Sequence, residues 1–161
     1  MKTILIMRHG EAEPLVRHDE SRALTEKGCQ QAKMMGQWLA KQAFSPEGVL
    51  ISPYLRAQQT ANQVLLFNSP RFLETCSDIV PNGNASFAID YLETLISMHP
   101  DIESWLLVAH MPIVSYLVDQ LSPGDMPIFQ LAACAQIEYD ELTRKGFLKG
   151  LHIPERVAAF Q

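Results

Sequence analysis

Short apolar runs separated by longer mixed segments are the main pattern of this chain. Three of these runs, Thr3–Met7, Val49–Ile51 and Trp105–Ala109, have the length of buried strands and are too short to span a membrane. A further short strand is predicted at Arg71–Glu74. Strands that are apolar throughout are typical of a parallel sheet, because such a sheet is covered on both faces.

The segments between these runs carry apolar residues at spacings of three and four, which predicts amphipathic helices. Thr25 is a good N-cap for the first helix, which should end near Ser45-Pro46. Ser52 and Pro53 fit the cap and first position of a second helix. Two more helices are predicted, at about Ser86–Met98 and from Pro112 onward.

The remaining segments complete a single α/β domain. Glu11–Arg22 is polar, rich in both charges and without a clear period, which indicates a loop. Ala133–Tyr139 and Phe147–Ile153 are predicted to form an antiparallel hairpin on a sheet edge. We therefore expect one domain over residues 1–161. Its predicted fold is a three-layer sandwich, with a mostly parallel central sheet, helices on both faces and the hairpin at the C-terminus.

Composition narrows the class of protein. The chain has 161 residues, and a net charge of −5 argues against nucleic-acid binding, which usually needs a basic face. Three widely spaced cysteines do not predict a disulfide framework or a zinc ribbon and fit reduced thiols. No secretory signal and no apolar window of membrane-spanning length occur. We expect a monomeric, cytoplasmic protein that does not bind membranes.

The first candidate chemistry lies at the end of the first predicted strand, in Arg8-His9-Gly10. Ligand sites of parallel sheets form at the carboxyl ends of strands. Arg8 offers a fork of donors suited to a phosphate, and His9 can attack phosphorus or move a proton. Gly10 is expected to let the chain turn sharply. Three residues alone also occur by chance, so this motif needs support from elsewhere in the chain.

That support comes from two later junctions between a strand and a helix. Arg56 falls in the first turn of the second predicted helix, where a cation opposes the helix dipole unless an anion binds beside it. His110 directly follows the strand Trp105–Ala109, just as His9 follows the first strand. One such histidine is explained well enough by packing or capping, but two of them favour a shared site.

In order along the chain, these motifs resemble the histidine phosphatase superfamily, which includes the phosphoglycerate mutases. The resemblance covers about the first two thirds of the chain. The matching segments are Arg8-His9-Gly10-Glu11, Leu24-Thr25-x-x-Gly28-x-x-Gln31-Ala32, Ser52-Pro53-x-x-Arg56-Ala57-x-x-Thr60-Ala61 and His110. The short length, together with Arg22-Ala23-Leu24-Thr25 and Ala109-His110-Met111-Pro112, is most similar to the SixA-type protein-histidine phosphatases.

This resemblance implies a site and a mechanism. His9 would attack phosphorus and become a phosphohistidine, with Arg8, Arg56 and His110 as further catalytic residues around the phosphoryl oxygens. Arg22 would be an additional substrate-binding residue. Water would then hydrolyse the intermediate, with no metal and no cofactor. Arginines near His9 should lower its pKa and keep it neutral.

One departure from many ester-cleaving relatives concerns the proton donor for the leaving group. Glu74 and Asp78 lie where a carboxylic acid would be sought, and neither is a convincing match. We also expect no long insert that would form a lid over a small substrate. Both features suit a phosphohistidine on a phosphorelay or phosphocarrier protein, since a P–N bond needs less leaving-group help. A small-molecule phosphomonoesterase is the alternative, and a non-catalytic phosphate-binding module is a third hypothesis.

Overall fold

A mixed six-stranded sheet forms the centre of the computed structural model, with the strand order β3-β2-β4-β1-β5-β6. The structure describes residues 1–15 and 17–158. Val16, which belongs to the predicted loop Glu11–Arg22, and residues 159–161, the end of the predicted domain, lie outside the described residues. Strands β3, β2, β4 and β1 are parallel, and β5 and β6 are antiparallel. The strands are β1 Lys2–Arg8, β2 Gly48–Ile51, β3 Phe72–Thr75, β4 Ser104–Ala109, β5 Cys134–Asp140 and β6 Lys145–His152.

Helices cover both faces of this sheet, as the sequence predicts for a three-layer fold. They are α1 Glu26–Ala40, α2 Leu55–Leu65, α3 Ala85–Met98, α4 Ile113–Leu121 and α5 Pro154–Ala158. Successive strand residues point to opposite faces. Ile4 and Ile6 therefore pack with α3 and α4, whereas Leu5 and Met7 pack with α1 and α2. No helix within the described part of the chain is long and apolar enough to cross a membrane.

The helix boundaries correct two sequence predictions. Helix α1 begins after the predicted cap Thr25, whose side chain accepts the Gly28 N–H, but it ends at Ala40 instead of near Ser45-Pro46. The side-chain amide of Gln42 donates to the Trp38 carbonyl and so helps to close the helix end early. Helix α2 has Tyr54, not Ser52, as its N-cap.

Two segments are more ordered than the sequence predicts. The polar segment Glu11–Arg22 contains a 3₁₀ turn at Asp19–Ser21, and Ala12 forms an antiparallel bridge with Leu24. The short helix α5, absent from the sequence prediction, buries Pro154 and Val157. The bridge is important for the site, because it returns the loop towards β1.

Gly10 and Gly28 are required because of close packing. The structure gives Gly10 no positive φ angle, so the expected need for a sharp turn is not the reason for this glycine. A Cβ at Gly10 would lie 2.4 Å from the Gly28 carbonyl oxygen, and a Cβ at Gly28 would lie 2.0 Å from the Glu11 carbonyl oxygen. The start of α1 therefore contacts the segment after β1 backbone to backbone.

Gly28→Ala should destabilise the protein by about 1–3 kcal/mol, despite the better helix propensity of alanine, because a backbone must shift to admit the methyl group. Urea unfolding measures this change. Gly150→Ala is the matched control, since its Cβ would meet only the His152 ring at 3.6 Å. Equal stability changes in the two variants would show that the contact between Gly28 and the Glu11 backbone tolerates a methyl group.

Candidate active site

His9 lies at the carboxyl edge of the sheet with one ring nitrogen available for chemistry. It is 6% exposed, and its Nδ1 lies 2.6 Å from the carbonyl oxygen of Gly10. A carbonyl only accepts, so Nδ1 must carry the proton and donate it. Nε2 is then the unprotonated nitrogen, and it accepts a hydrogen bond from Arg56 Nε at 3.3 Å. His9 therefore has its lone pair at Nε2 and is arranged as a nucleophile.

Arg56 joins His9 to the loop that follows β1. Its guanidinium is 4% exposed and donates to both the backbone carbonyl and the carboxylate of Asp19, at 2.7 and 3.1 Å. The other carboxylate oxygen of Asp19 accepts from Arg22 at 3.1 Å. Asp19 thus bridges two arginines that sequence analysis assigned to the site.

Arg8 reaches the same edge from the end of β1. One terminal nitrogen donates to the Phe129 carbonyl at 2.9 Å, which anchors the side chain to the loop before β5. Its Nε–H is buried and has no hydrogen-bond partner among the described residues. A buried donor without a partner is costly, so this N–H is available for an anionic ligand.

His110 lies beside His9 because of the strand register. Arg8 pairs with Ala109 across the parallel strands β1 and β4, so the next residue of each strand leaves the sheet at the same place. The two imidazole rings are 5.2 Å apart between centroids. His110 is 1% exposed, its Nε2 lies 2.7 Å from the Ser52 hydroxyl oxygen, and its Nδ1 has no partner among the described residues.

Burial and positive charge keep both histidines neutral. Burial is the largest cause and, with the charges of Arg56, Arg8 and Arg22, lowers the pKa of His9 to about 4. Burial and the charge of Arg56 similarly lower the pKa of His110 to about 3. The expected effect of the arginines is present, but desolvation exceeds it. At neutral pH the lone pair of His9 is therefore available.

Arg22 is part of this cluster through its neighbours. Besides Asp19, it donates from Nε to the Glu13 carbonyl at 2.7 Å, and its charge acts on His9. Arg17, in the same loop, is exposed. Arg8, His9, Arg22, Arg56 and His110 are thus brought together at one edge of the sheet.

Several residues of the cluster were not singled out by sequence analysis. The sequence pattern identifies Asp19 only as one of many charged residues in a polar loop. Burial raises the pKa of Asp19, but hydrogen bonds from Arg22 and Arg56 outweigh it and lower the pKa below its usual value. Thr60 accepts the Gly10 N–H, and Gln31 accepts the Glu11 N–H. The spacing within the matched motifs was the available signal for Thr60 and Gln31.

The two carboxylates considered as proton donors lie outside the cluster. Glu74 is on the edge strand β3 and accepts a hydrogen bond from the Tyr91 hydroxyl. Asp78 is in the turn after β3, where its backbone carbonyl accepts the Asn84 N–H. Within the described residues, neither side chain bonds to His9 or to the arginines around it. Asp19 is the carboxylate in the cluster, and its lowered pKa keeps it ionised.

The arrangement suits binding and attack of a phosphoryl group. The unpartnered Arg8 N–H, further arginines and a second imidazole surround a neutral nucleophilic nitrogen in a largely buried site. Phosphoryl transfer is catalysed mainly by positioning and by fixed donors around the equatorial oxygens. The described residues contain no group of three metal-ligating side chains, and the expectation of metal-independent chemistry remains a prediction.

Comparison with known proteins relates the chain to phosphatases. Residues 4–74 match the model of the histidine phosphatase superfamily (branch 1). Phosphohistidine phosphatase SixA of Escherichia coli (strain K12) is 37% identical over 140 residues, which covers 86% of each chain. A SixA homolog of Haemophilus influenzae (strain ATCC 51907 / DSM 11121 / KW20 / Rd) is 40% identical over 147 residues, covering 85% of this chain and 88% of that one.

A solved structure extends the likeness to the whole fold. The protein histidine phosphatase SixA complexed with tungstate superposes with a TM-score of 0.89 at 34% identity, covering 96% of this chain and 99% of that chain. The predicted α/β architecture is confirmed by this match and by the strand order.

Proposed function

The chain belongs to the histidine phosphatase superfamily, and from that membership we propose that it is a phosphohistidine phosphatase acting on a phosphorelay or phosphocarrier protein. The observation that carries the proposal is the orientation of His9. Its Nδ1–H is held by a carbonyl, and its Nε2 lone pair faces the arginines.

In the first step, the Nε2 lone pair of His9 attacks phosphorus, and the bond from phosphorus to the substrate imidazole nitrogen breaks. The electron pair of that bond stays on the leaving imidazole, which departs as a neutral ring if its other nitrogen already carries a proton. Phosphorylated His9 keeps its Nδ1 proton, so its ring is cationic. The Gly10 carbonyl, which accepts that proton in a hydrogen bond, stabilises this cation.

The surrounding donors stabilise the transferred group. Within the site, Arg8 Nε–H and His110 Nδ1 have no partner among the described residues and are placed to bind phosphoryl oxygens. Arg56 donates to His9 Nε2 in the resting site, and when the lone pair attacks, this hydrogen bond breaks and the Arg56 N–H can bind a phosphoryl oxygen instead. Asp19 holds Arg22 near the site, and the charge of Arg22 acts on His9. Donors fixed before the reaction lower the barrier without reorganisation.

In the second step, water attacks phosphorus and the bond to His9 Nε2 breaks. One proton of the water goes to solvent or to the released phosphate, and His9 regains its lone pair. Neither step uses a cofactor or a metal. We propose that the enzyme works as a cytoplasmic monomer over one domain of residues 1–161.

The supply of protons favours a protein-borne phosphohistidine over an alkyl phosphate. An alkoxide leaving group needs an acid, but Asp19 is ionised, Glu74 is paired with Tyr91, and Asp78 lies in the turn after β3, outside the cluster. An imidazole that is protonated on its ring needs no such acid. Among the described residues no protonated carboxylic acid lies beside His9, and this supports a phosphohistidine as the substrate.

The direct test compares kcat/KM for phosphate release from a phosphohistidine-containing phosphotransfer protein with kcat/KM for sugar phosphates. We expect the phosphoprotein to be the better substrate by several orders of magnitude. A higher value for a sugar phosphate would instead identify a small-molecule phosphomonoesterase. Phosphate binding with no turnover of either substrate would identify a non-catalytic module.

Asp78→Asn and Glu74→Gln should each keep activity on the phosphoprotein within about tenfold, less than the ~10²–10⁴-fold loss typical of removing a general acid. Each variant is compared with the parent enzyme in the phosphate-release assay. A large loss for Asp78→Asn, combined with good parental activity on an ordinary phosphomonoester, would contradict the proposal and assign the acid to Asp78.

A further inference from the structure

Ser52 is the residue directly after β2, and its hydroxyl lies against His110. Ser52 is fully buried, and its oxygen is 2.7 Å from His110 Nε2. Its backbone is held on both sides: its N–H donates to the Val108 carbonyl, and its carbonyl accepts from the side chain of Gln58. The hydroxyl is therefore placed rigidly beside the imidazole.

The hydroxyl oxygen has a second partner that sets the direction of this hydrogen bond. The backbone N–H of Tyr54 donates to Ser52 Oγ at 3.3 Å. If His110 Nε2 also donated, the hydroxyl would accept twice and its own proton would have no acceptor among the described residues. If the hydroxyl instead donates to Nε2, the Ser52 and Tyr54 groups are all paired. The first arrangement leaves both the hydroxyl proton and the Nδ1 lone pair without partners, whereas the second leaves only the Nδ1–H. The second is favoured because each unpaired buried polar group is costly.

We propose that Ser52 is a positioning residue that holds neutral His110 in the tautomer with its proton on Nδ1, so that His110 donates this N–H to a phosphoryl oxygen. The proposal rests on the proposed function only in assigning a phosphoryl group as the acceptor. It explains why Nδ1 is buried without a protein partner.

The opposite tautomer would impair binding of an anion. It would place the Nδ1 lone pair, rather than an N–H, against the oxygens of the ligand. Protonation does not correct this at neutral pH, because burial and the charge of Arg56 keep the pKa of His110 near 3. The rings of Tyr54 and His9 each lie at a centroid distance of 5.2 Å from the His110 ring and restrict its rotation.

The tautomer is measured directly by nitrogen NMR of the histidine rings in the wild-type protein, with the His110 signals assigned from His110→Gln. The expected spectrum shows a protonated Nδ1 and an unprotonated Nε2 for His110 at neutral pH. Addition of inorganic phosphate should shift the Nδ1 signal. A wild-type spectrum with the proton on Nε2 would overturn the proposal without any variant of Ser52.

Ser52→Ala tests the cause of the tautomer. It should move the His110 proton at least partly to Nε2, lower kcat by about fivefold to a hundredfold and weaken inhibition by inorganic phosphate in the same range. Ser104→Ala is the matched control, because Ser104 is also a buried serine that hydrogen-bonds a neighbour, at the other end of β4. Ser52→Cys introduces a weaker donor of similar size, so its kcat and phosphate inhibition should lie between those of wild type and Ser52→Ala. If Ser52→Ala does not fold, Ser52→Cys serves as the test variant.

These measurements separate this proposal from the proposed function. The tautomer and the affinity for inorganic phosphate do not depend on any phosphoprotein. They therefore test the role of Ser52 even if no phosphohistidine protein is hydrolysed. A Ser52→Ala protein with the wild-type tautomer and phosphate affinity, indistinguishable from Ser104→Ala, would reduce Ser52 to a packing residue.

Discussion

Replacing His9 with alanine is expected to lower kcat by about 10³-fold or more, because the variant has no nitrogen to attack phosphorus. The fold should persist, since His9 lies at the end of β1 and not among the apolar side chains of the core. Phosphate release from a phosphohistidine protein measures the loss, and a melting curve checks the fold.

His99→Ala is the control for this substitution, because His99 ends α3 and packs against Phe72. It should retain near-wild-type kcat. Wild-type enzyme stopped in alkali during turnover should carry a phosphoryl group on His9, seen in its intact mass, and His9→Ala should not. A near-normal kcat for His9→Ala with a native melting curve would exclude the covalent mechanism.

Arg56→Ala is expected to give the next largest loss, about 10²-fold or more in kcat with a smaller rise in KM. Arg56 lies beside the attacking nitrogen, where its guanidinium can bind phosphoryl oxygens whose charge is redistributed in the transition state. Arg8→Ala should show the same split between kcat and KM. Lysine should replace either arginine poorly. In Arg56, separate nitrogens bond to His9 and Asp19, and a single ammonium group cannot make the same set of bonds.

A structural explanation of the Arg56 effect is also testable. Arg56→Ala removes the anchor of the loop at Asp19, so the loss of activity could come from the loop alone. Asp19→Ala breaks the side-chain contacts of that anchor while keeping the guanidinium, and should cost much less in kcat than Arg56→Ala. Equal losses in the two variants, or effects on KM alone, would assign Arg56 to loop anchoring or ground-state binding.

The apolar strands and their site residues were predictable because both depend on local sequence. Runs such as Thr3–Met7 and Trp105–Ala109 are buried on both faces, so hydrophobicity alone identifies them. His9 and His110 directly follow such runs, and the carboxyl ends of parallel strands share one edge. The sequence therefore predicts that these histidines approach each other, and their rings do so.

Features that depend on tertiary contacts were not predictable from local pattern. Ser52-Pro53 has the pattern of a helix start, but the Ser52 hydroxyl is paired with His110 and the helix begins after Tyr54. Asp19 belongs to a polar loop without period, and its contacts with Arg56 and Arg22 arise only when the Ala12–Leu24 bridge folds the loop back.

The position of β1 in the sheet also determines when the site forms during synthesis. β1 is synthesised before the other strands of the sheet, but its neighbours are β4 and β5, at residues 104–109 and 134–140. At a synthesis rate of ~5–20 residues per second, several seconds pass before this apolar strand can pair, and chaperones can bind it during that time. A nascent chain stalled before β5 should therefore lack phosphatase activity, although it already contains every residue proposed for catalysis.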